Sequence, residues 1–248
     1  HHTWIPTRGV AGRIKRLALR YASNIAVSRA VAQSLPVPCT IVPNPYADDL
    51  FVRAPEGTRT RDLVFVGRLV SDKGVAVLIA ALGLLARRGR CVGLTVIGDG
   101  PELAALRRQA AELGVSEQID FCGRRVGSVL VASLNEHQVL VVPSVWEEPF
   151  GVVALEAMAC GCIPLVSRSG GLPDAVGSSG VVVTLGDVDA LARAIDELLG
   201  DTTRLERLRS TAPAHLERHT RDRVARDYLQ IINDACRTNP TQSAESVV

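Results

Sequence analysis

Short, near-continuous apolar runs alternate with amphipathic stretches over most of the chain. The runs are DLVFVG (62–67), GLTVIG (93–98), IDFCG (119–123), VLVVPS (139–144), CIPLVS (162–167) and GVVVT (180–184). Between and after them the spacing predicts helices over 74–88, 101–113, near 126–134, around Glu156 and over 187–199. Strands apolar on both faces and separated by helices indicate an α/β fold, a Rossmann-like doubly wound parallel sheet covered on both sides. Such sheets bind ligands beyond the carboxyl ends of their strands. There the sequence turns glycine-rich and polar: GRLVSDKG, GDGPE, GRRVG, PSVWEEPFG and SRSGGLPD.

The pattern is weaker at both ends. A basic helical stretch (12–23, with Arg13, Lys15, Arg16 and Arg20), a short strand NIAVS (24–28), a helix near 29–35 and CTIVPNPYADDLF (39–51) are too few elements to enclose a core. RAPEGTRTR (53–61) reads as a polar linker. DRVARDYLQIINDAC (222–236) has helical spacing, and the last dozen residues have the composition of a disordered tail. The chain starts His1-His2 rather than Met, which reads as the interior of a longer chain.

Composition narrows the classes. A content of 47% hydrophobic residues over 248 positions is ample for a core, and no apolar run reaches the roughly 18 residues of a membrane span. A net charge of +2 argues against a nucleic-acid-binding face. The six cysteines show no CxxC pair and read as small buried residues in a reducing, cytoplasmic setting. Only two of the 28 basic residues are lysine, Lys15 and Lys73, which draws attention to each.

Arg68 and Lys73 follow one strand and precede a helix, so both could converge on an anion at the helix N-terminus. A diphosphate suits an arginine fork beside a lysine point charge. The alternative is that Arg68 pairs with Asp72 while Lys73 is solvated. No Walker loop is present, and GDGPE lacks the third glycine of a dinucleotide fingerprint.

EEPFGVV repeats the passage from strand through loop to helix. Pro149 presets the first turn, and Gly151 permits a ligand close to backbone amides. Glu148 either caps that helix or reaches into the cleft. Glu156, inside VALEAMA, needs a polar partner: the vicinal hydroxyls of a ribose, or an arginine on a neighbouring element.

Taken in order, FVGRLVSDKG, LTVIGDGPE, IDFCGR, VLVVPS, EEPFGVVALEAMACGCIPLVS and GGLPDAV resemble the donor-binding half of a GT-B glycosyltransferase of the large retaining family 4, the glycosyl transferases group 1 family. The likeness spans about residues 62–200, and the E-x7-E element from Glu148 to Glu156 is its most specific part. It implies that Arg68 and Lys73 bind a donor diphosphate, Glu156 the ribose and Glu148 the transferred sugar. The amides of Phe150, Gly151, Val152 and Val153, beside Pro149, would approach sugar and phosphate. Gly67, Gly98, Gly100, Cys122 and Arg124 would line the nucleotide.

His2-Thr3 resembles the family's His-Thr pair, whose histidine reaches the donor sugar from the acceptor domain. The implied division is 1–52 for the end of that acceptor domain and its linker strand, 53–216 for the donor domain, 217–236 for a crossover helix and 237–248 for the tail. Most of the acceptor domain would then be missing from the chain. Three positions depart from the family pattern: Gln138, Asp174 and PNPY (43–46).

The implied reaction is hexosyl transfer with retention, from a UDP- or GDP-linked sugar to an acceptor the sequence does not identify, with no metal or other cofactor. A non-catalytic nucleotide-sugar binding module and a GT-B sugar-nucleotide epimerase are the other classes weighed. For the basic helix, peripheral contact with an anionic membrane at the cytoplasmic face is weighed against a solvated face.

Overall fold

The computed structural model describes residues 2, 12, 14, 17–54 and 59–238. Thr3, Arg13, Lys15, Arg16 and the tail from 239 onward lie outside them.

Two short parallel strands, β1 (Ile25–Ala26) and β2 (Thr40–Ile41), enclose α1 (Arg29–Gln33). The main sheet follows in regular alternation: β3 (Arg61–Val66), α2 (Val75–Arg87), β4 (Leu94–Ile97), α3 (Leu103–Glu112), β5 (Ile119–Gly123), α4 (Gly127–Glu136), β6 (His137–Val142), α5 (Val152–Ala159), β7 (Ile163–Ser167), α6 (Leu172–Val176), β8 (Val181–Val183) and α7 (Val188–Gly200). Helices α8 (Thr202–Leu216) and α9 (Arg221–Thr238) close the chain. The six strands β3–β8 are all parallel, in the order β5-β4-β3-β6-β7-β8.

Every second residue of a strand faces the same side, and here both sides are buried. Leu63 and Phe65 of β3, with Val139 and Val141 of β6, pack beneath α2, α3 and α7. Val64, Leu140 and Val142 point the other way, into a second cluster with α4, α5, α6 and α8. That second cluster also holds Ala26, Val27, Val31, Tyr46 and Phe51, so the segment before the sheet joins its core.

Three expectations change. The linker reading of 53–61 fails at Arg59, whose guanidinium is half-buried and donates to the carbonyls of Leu134, Asn135 and His137. The cysteines are free, but only Cys160 and Cys162 are buried, while Cys91 and Cys236 are exposed. Helix α8 has no counterpart in the pattern read above; Asp201 caps it through Arg204 N–H, and Leu205, Leu208 and Leu216 face inward. Among the described residues, no helix is long and apolar enough to cross a membrane.

Candidate functional site

At the centre of the sheet β3 and β6 lie side by side, and the chain leaves them toward opposite edges. In a parallel sheet such a reversal is a switch point, and ligands bind beside it in a crevice beyond the strands' carboxyl ends. Two loops flank it, 67–74 after β3 and 143–151 after β6. They are joined through backbone: Val145 N–H donates to Asp72 O at 2.9 Å. Gly74 lies so near Pro143 that an added Cβ would stand 2.0 Å from its carbonyl oxygen, and its φ of +69° also favours glycine.

Lys73 is therefore held between two residues anchored to the opposite loop. Its Nζ lies 2.5 Å from Glu148 Oε1, and the same oxygen accepts from Ser144 Oγ at 2.7 Å. The pair is part-shielded, with 33% of the lysine side chain and 13% of the glutamate side chain exposed, so water screens it incompletely. The sequence assigned the two residues to different parts of one ligand and did not anticipate their contact. Arg68 is exposed, and among the described residues it forms no ion pair, with Asp72 or any other acid.

Glu156 lies one turn into α5. It is half-buried, and burial pushes its carboxyl above the usual carboxylate range. Among the described residues its carboxylate has neither a hydrogen bond nor an arginine partner. A desolvated acid of this kind calls for hydroxyl donors from elsewhere.

Loop 143–151 is held from further sides. Gly171 N–H donates to Glu148 O at 2.7 Å, Glu148 N–H to Ser169 Oγ at 3.4 Å, and Ser169 Oγ to Trp146 O. Ser28 Oγ donates to Pro149 O at 2.7 Å. Asp174 accepts from Arg29 N–H and Nε at 2.6 and 2.8 Å, so this departure from the family pattern ties α1 to α6. Phe150 turns its ring inward, 5.6 Å from the imidazole of His219. What Phe150 and its neighbours can offer the crevice is backbone. Gly151 caps α5 without a side-chain hydrogen bond, so the N–H groups of Val152 and Val153 have no partner inside the helix. They form a site of positive potential.

The glycines do more packing than the sequence suggested. An added Cβ on Gly151 would meet Leu172 Cδ2 at 2.4 Å. On Gly98 it would lie 1.8 Å from Gly67 O, and on Gly100 2.3 Å from Leu69 O. Gly67 N–H donates to Ile97 O and Leu69 N–H to Asp99 O, so these glycines press loop 67–74 against its neighbour.

Cys122 and Arg124 lie two strands away from β3, at the end of β5, joined inward by Gly98 N–H to Gly123 O at 2.8 Å. Burial raises the Cys122 thiol, and Arg124 is exposed. Among the described residues, no hydrogen bond joins either to Lys73 or Glu148. His2 Nδ1 shares a 3.0 Å hydrogen bond with Asn44 Oδ1, in the PNPY stretch, and likewise has no hydrogen bond to that pair. Sequence reasoning missed Ser144, Ser169 and Ser28, because nothing in their local spacing distinguishes them from ordinary loop serines.

A family model described as Glycosyl transferases group 1 matches residues 48–215. A GDP-mannose-dependent alpha-(1-6)-phosphatidylinositol monomannoside mannosyltransferase of Mycolicibacterium smegmatis is 39% identical over 150 residues, covering 57% of this chain and 39% of the relative. A D-inositol 3-phosphate glycosyltransferase of Salinispora tropica is 33% identical over 194 residues, 74% of this chain and 40% of the relative. The chain thus spans about two fifths of the length of these relatives. The crystal structure of Anabaena HepE in complex with UDP superposes with a TM-score of 0.80 at 22% identity, over 94% of this chain and 71% of that one.

Proposed function

The chain belongs to the glycosyl transferases group 1 family, and on that premise we propose that it forms the donor-binding half of a retaining glycosyltransferase. The reaction moves a hexosyl group from a UDP- or GDP-linked sugar to an acceptor hydroxyl. The observation that carries this reading is the meeting of Lys73 with Glu148 across the switch point, at the open N-terminus of α5. One crevice then combines a cation for phosphate with a carboxylate for sugar hydroxyls.

In this reading the donor diphosphate draws Lys73 away from Glu148 and recruits the exposed Arg68. The free N–H groups of Val152 and Val153 add to the positive potential there. Charge that develops on the leaving diphosphate meets donors already in place, which lowers the barrier without reorganisation. Glu156 accepts from the ribose hydroxyls, which supply the partner it lacks among the described residues. Glu148 accepts from the sugar. The leaving diphosphate takes the acceptor's proton on the same face of the sugar, which retains the anomeric configuration and needs no metal. The two glutamates grip different parts of one donor, unlike a glycosidase pair flanking one bond.

The relatives' names point to different nucleotides, GDP-mannose for the mycobacterial mannosyltransferase and UDP for the Anabaena complex. Calorimetric titration with UDP, GDP, ADP and their glucose or mannose conjugates, in EDTA, therefore tests the reading and its metal independence together. Saturable binding of one nucleotide series is expected. Absence of binding by all of them rejects the proposal.

A further inference from the structure

We infer that Ser144 is a positioning residue for Glu148, retaining its Oε1 when Lys73 turns from that oxygen to the donor diphosphate. The inference rests on the donor-site reading above.

Ser144 has no exposed surface, and its hydroxyl points at the carboxylate oxygen that Lys73 also holds, with Ser144 Oγ at 2.7 Å and Lys73 Nζ at 2.5 Å. Two donors therefore share Oε1. The backbone of Glu148 is fixed independently, through Ser169 Oγ and Gly171 N–H, so only its side-chain torsions remain to be set. Lys73 cannot set them during binding, because a diphosphate competes for the same ammonium. A hydroxyl can, since it is neutral and has less claim on phosphate. With Ser144 still donating to Oε1, the carboxylate keeps its orientation and Oε2 remains for a sugar hydroxyl.

The test compares wild type, Ser144→Ala and Ser144→Thr, titrated with UDP, UDP-glucose, GDP and GDP-mannose. In Ser144→Ala the Kd for free nucleotide should stay within about twofold, while the Kd for the matching sugar nucleotide rises about fivefold, no more than removal of the Glu148 carboxylate itself would cost. Ser144→Thr, which keeps the hydroxyl, should restore sugar-nucleotide binding. Partial unfolding would lower the number of sites rather than the ratio of the two constants. If the alanine variant does not fold, Ser144→Cys, of similar shape and weaker donor strength, gives the same readout. Equal changes for nucleotide and sugar nucleotide, or none, overturn the inference and leave the donor site standing. A wild type that gains nothing from the sugar overturns the assignments of Glu148 and Ser144 together. A wild type that binds no nucleotide overturns the donor-site reading, and this inference with it.

Discussion

The two ends of α5 are treated in opposite ways. At its carboxyl end Arg59 donates to Cys160 O as well as to Leu134, Asn135 and His137 carbonyls, and Arg209 Nε donates to Gly161 O at 3.1 Å. Cys162 Sγ adds contacts to Leu134 O and His137 O, and its thiol is pushed up to about 12 by burial. Among the described residues Arg209 Nη2 is left without a hydrogen bond, but the carbonyls there are well supplied. The amino end has no side-chain cap, free N–H groups, and in Glu156 a half-buried acid without a partner among the described residues. At the first end the carbonyls are supplied by protein donors; at the second the first N–H groups and the acid have no such partner among the described residues.

Breaking the satisfied end should affect folding and leave binding intact. Arg59→Ala exposes several part-buried carbonyls to loss of their donor, at a cost of about 3 kcal/mol. Urea denaturation should show that loss, while the folded protein keeps its nucleotide Kd. A nucleotide Kd that changes along with stability would mean that the two ends of α5 are coupled.

Acid tests the support beneath the loop. Burial, helped by the neighbouring imidazole of His215, lowers His219 from its ordinary value to about 4. His219 sits against Phe150 and near Asn44 O, at 3.3 Å from its Nδ1. Because the folded state binds this proton less readily than the unfolded chain, stability is lost as pH falls from about 6.5 toward 4. The loss should approach 3 kcal/mol, on the order of 1.4 kcal/mol per unit. His219→Phe should flatten the unfolding free energy over that range, and a variant with the wild-type slope would assign the acid sensitivity to other groups.

At the unsatisfied end the prediction reverses. Glu156→Gln should weaken free nucleotide about tenfold, yet leave stability unchanged or raise it, since the ionised carboxylate is desolvated without compensation. The sign follows from its raised pKa: the folded state holds the proton more tightly, so wild-type stability declines as pH rises through and above the usual carboxylate range. Denaturation of both proteins at several pH values should show the curves separating upward in pH. A destabilised variant would mean that Glu156 has a structural role.

The smallest effect sharpens the division between the two glutamates. Glu148→Ala should leave free UDP or GDP bound as in wild type or more tightly, since Lys73 is released, and cost about fivefold in affinity for the sugar nucleotide. Equal losses for both ligands, in both glutamate variants, would reject separate ribose and sugar roles.

Much of the frame was legible because strand burial on two faces forces continuous apolar runs. The predicted strand at 119–123 coincides with β5, and the helix at 74–88 differs from α2 by one residue at each end. Helix α8 was missed because its arginines and Pro213 obscure the leucine spacing, although Asp201 before it was a usable start signal. Arg59 was misread because a charged residue between turn formers looks solvated until the carbonyls it serves are known.

By itself, then, the sequence determined the alternation of strands and helices, the edge where polar loops gather, and the candidate acids and bases on them. These follow from periodicity and local turn chemistry, which act over a few residues. Only the tertiary structure decided that Lys73 meets Glu148 from 75 residues away, that Ser144 shares the same oxygen, and that Glu156 has no hydrogen-bond partner among the described residues. Those relations depend on strand order, and strand order is set by which apolar faces pack together rather than by any local pattern.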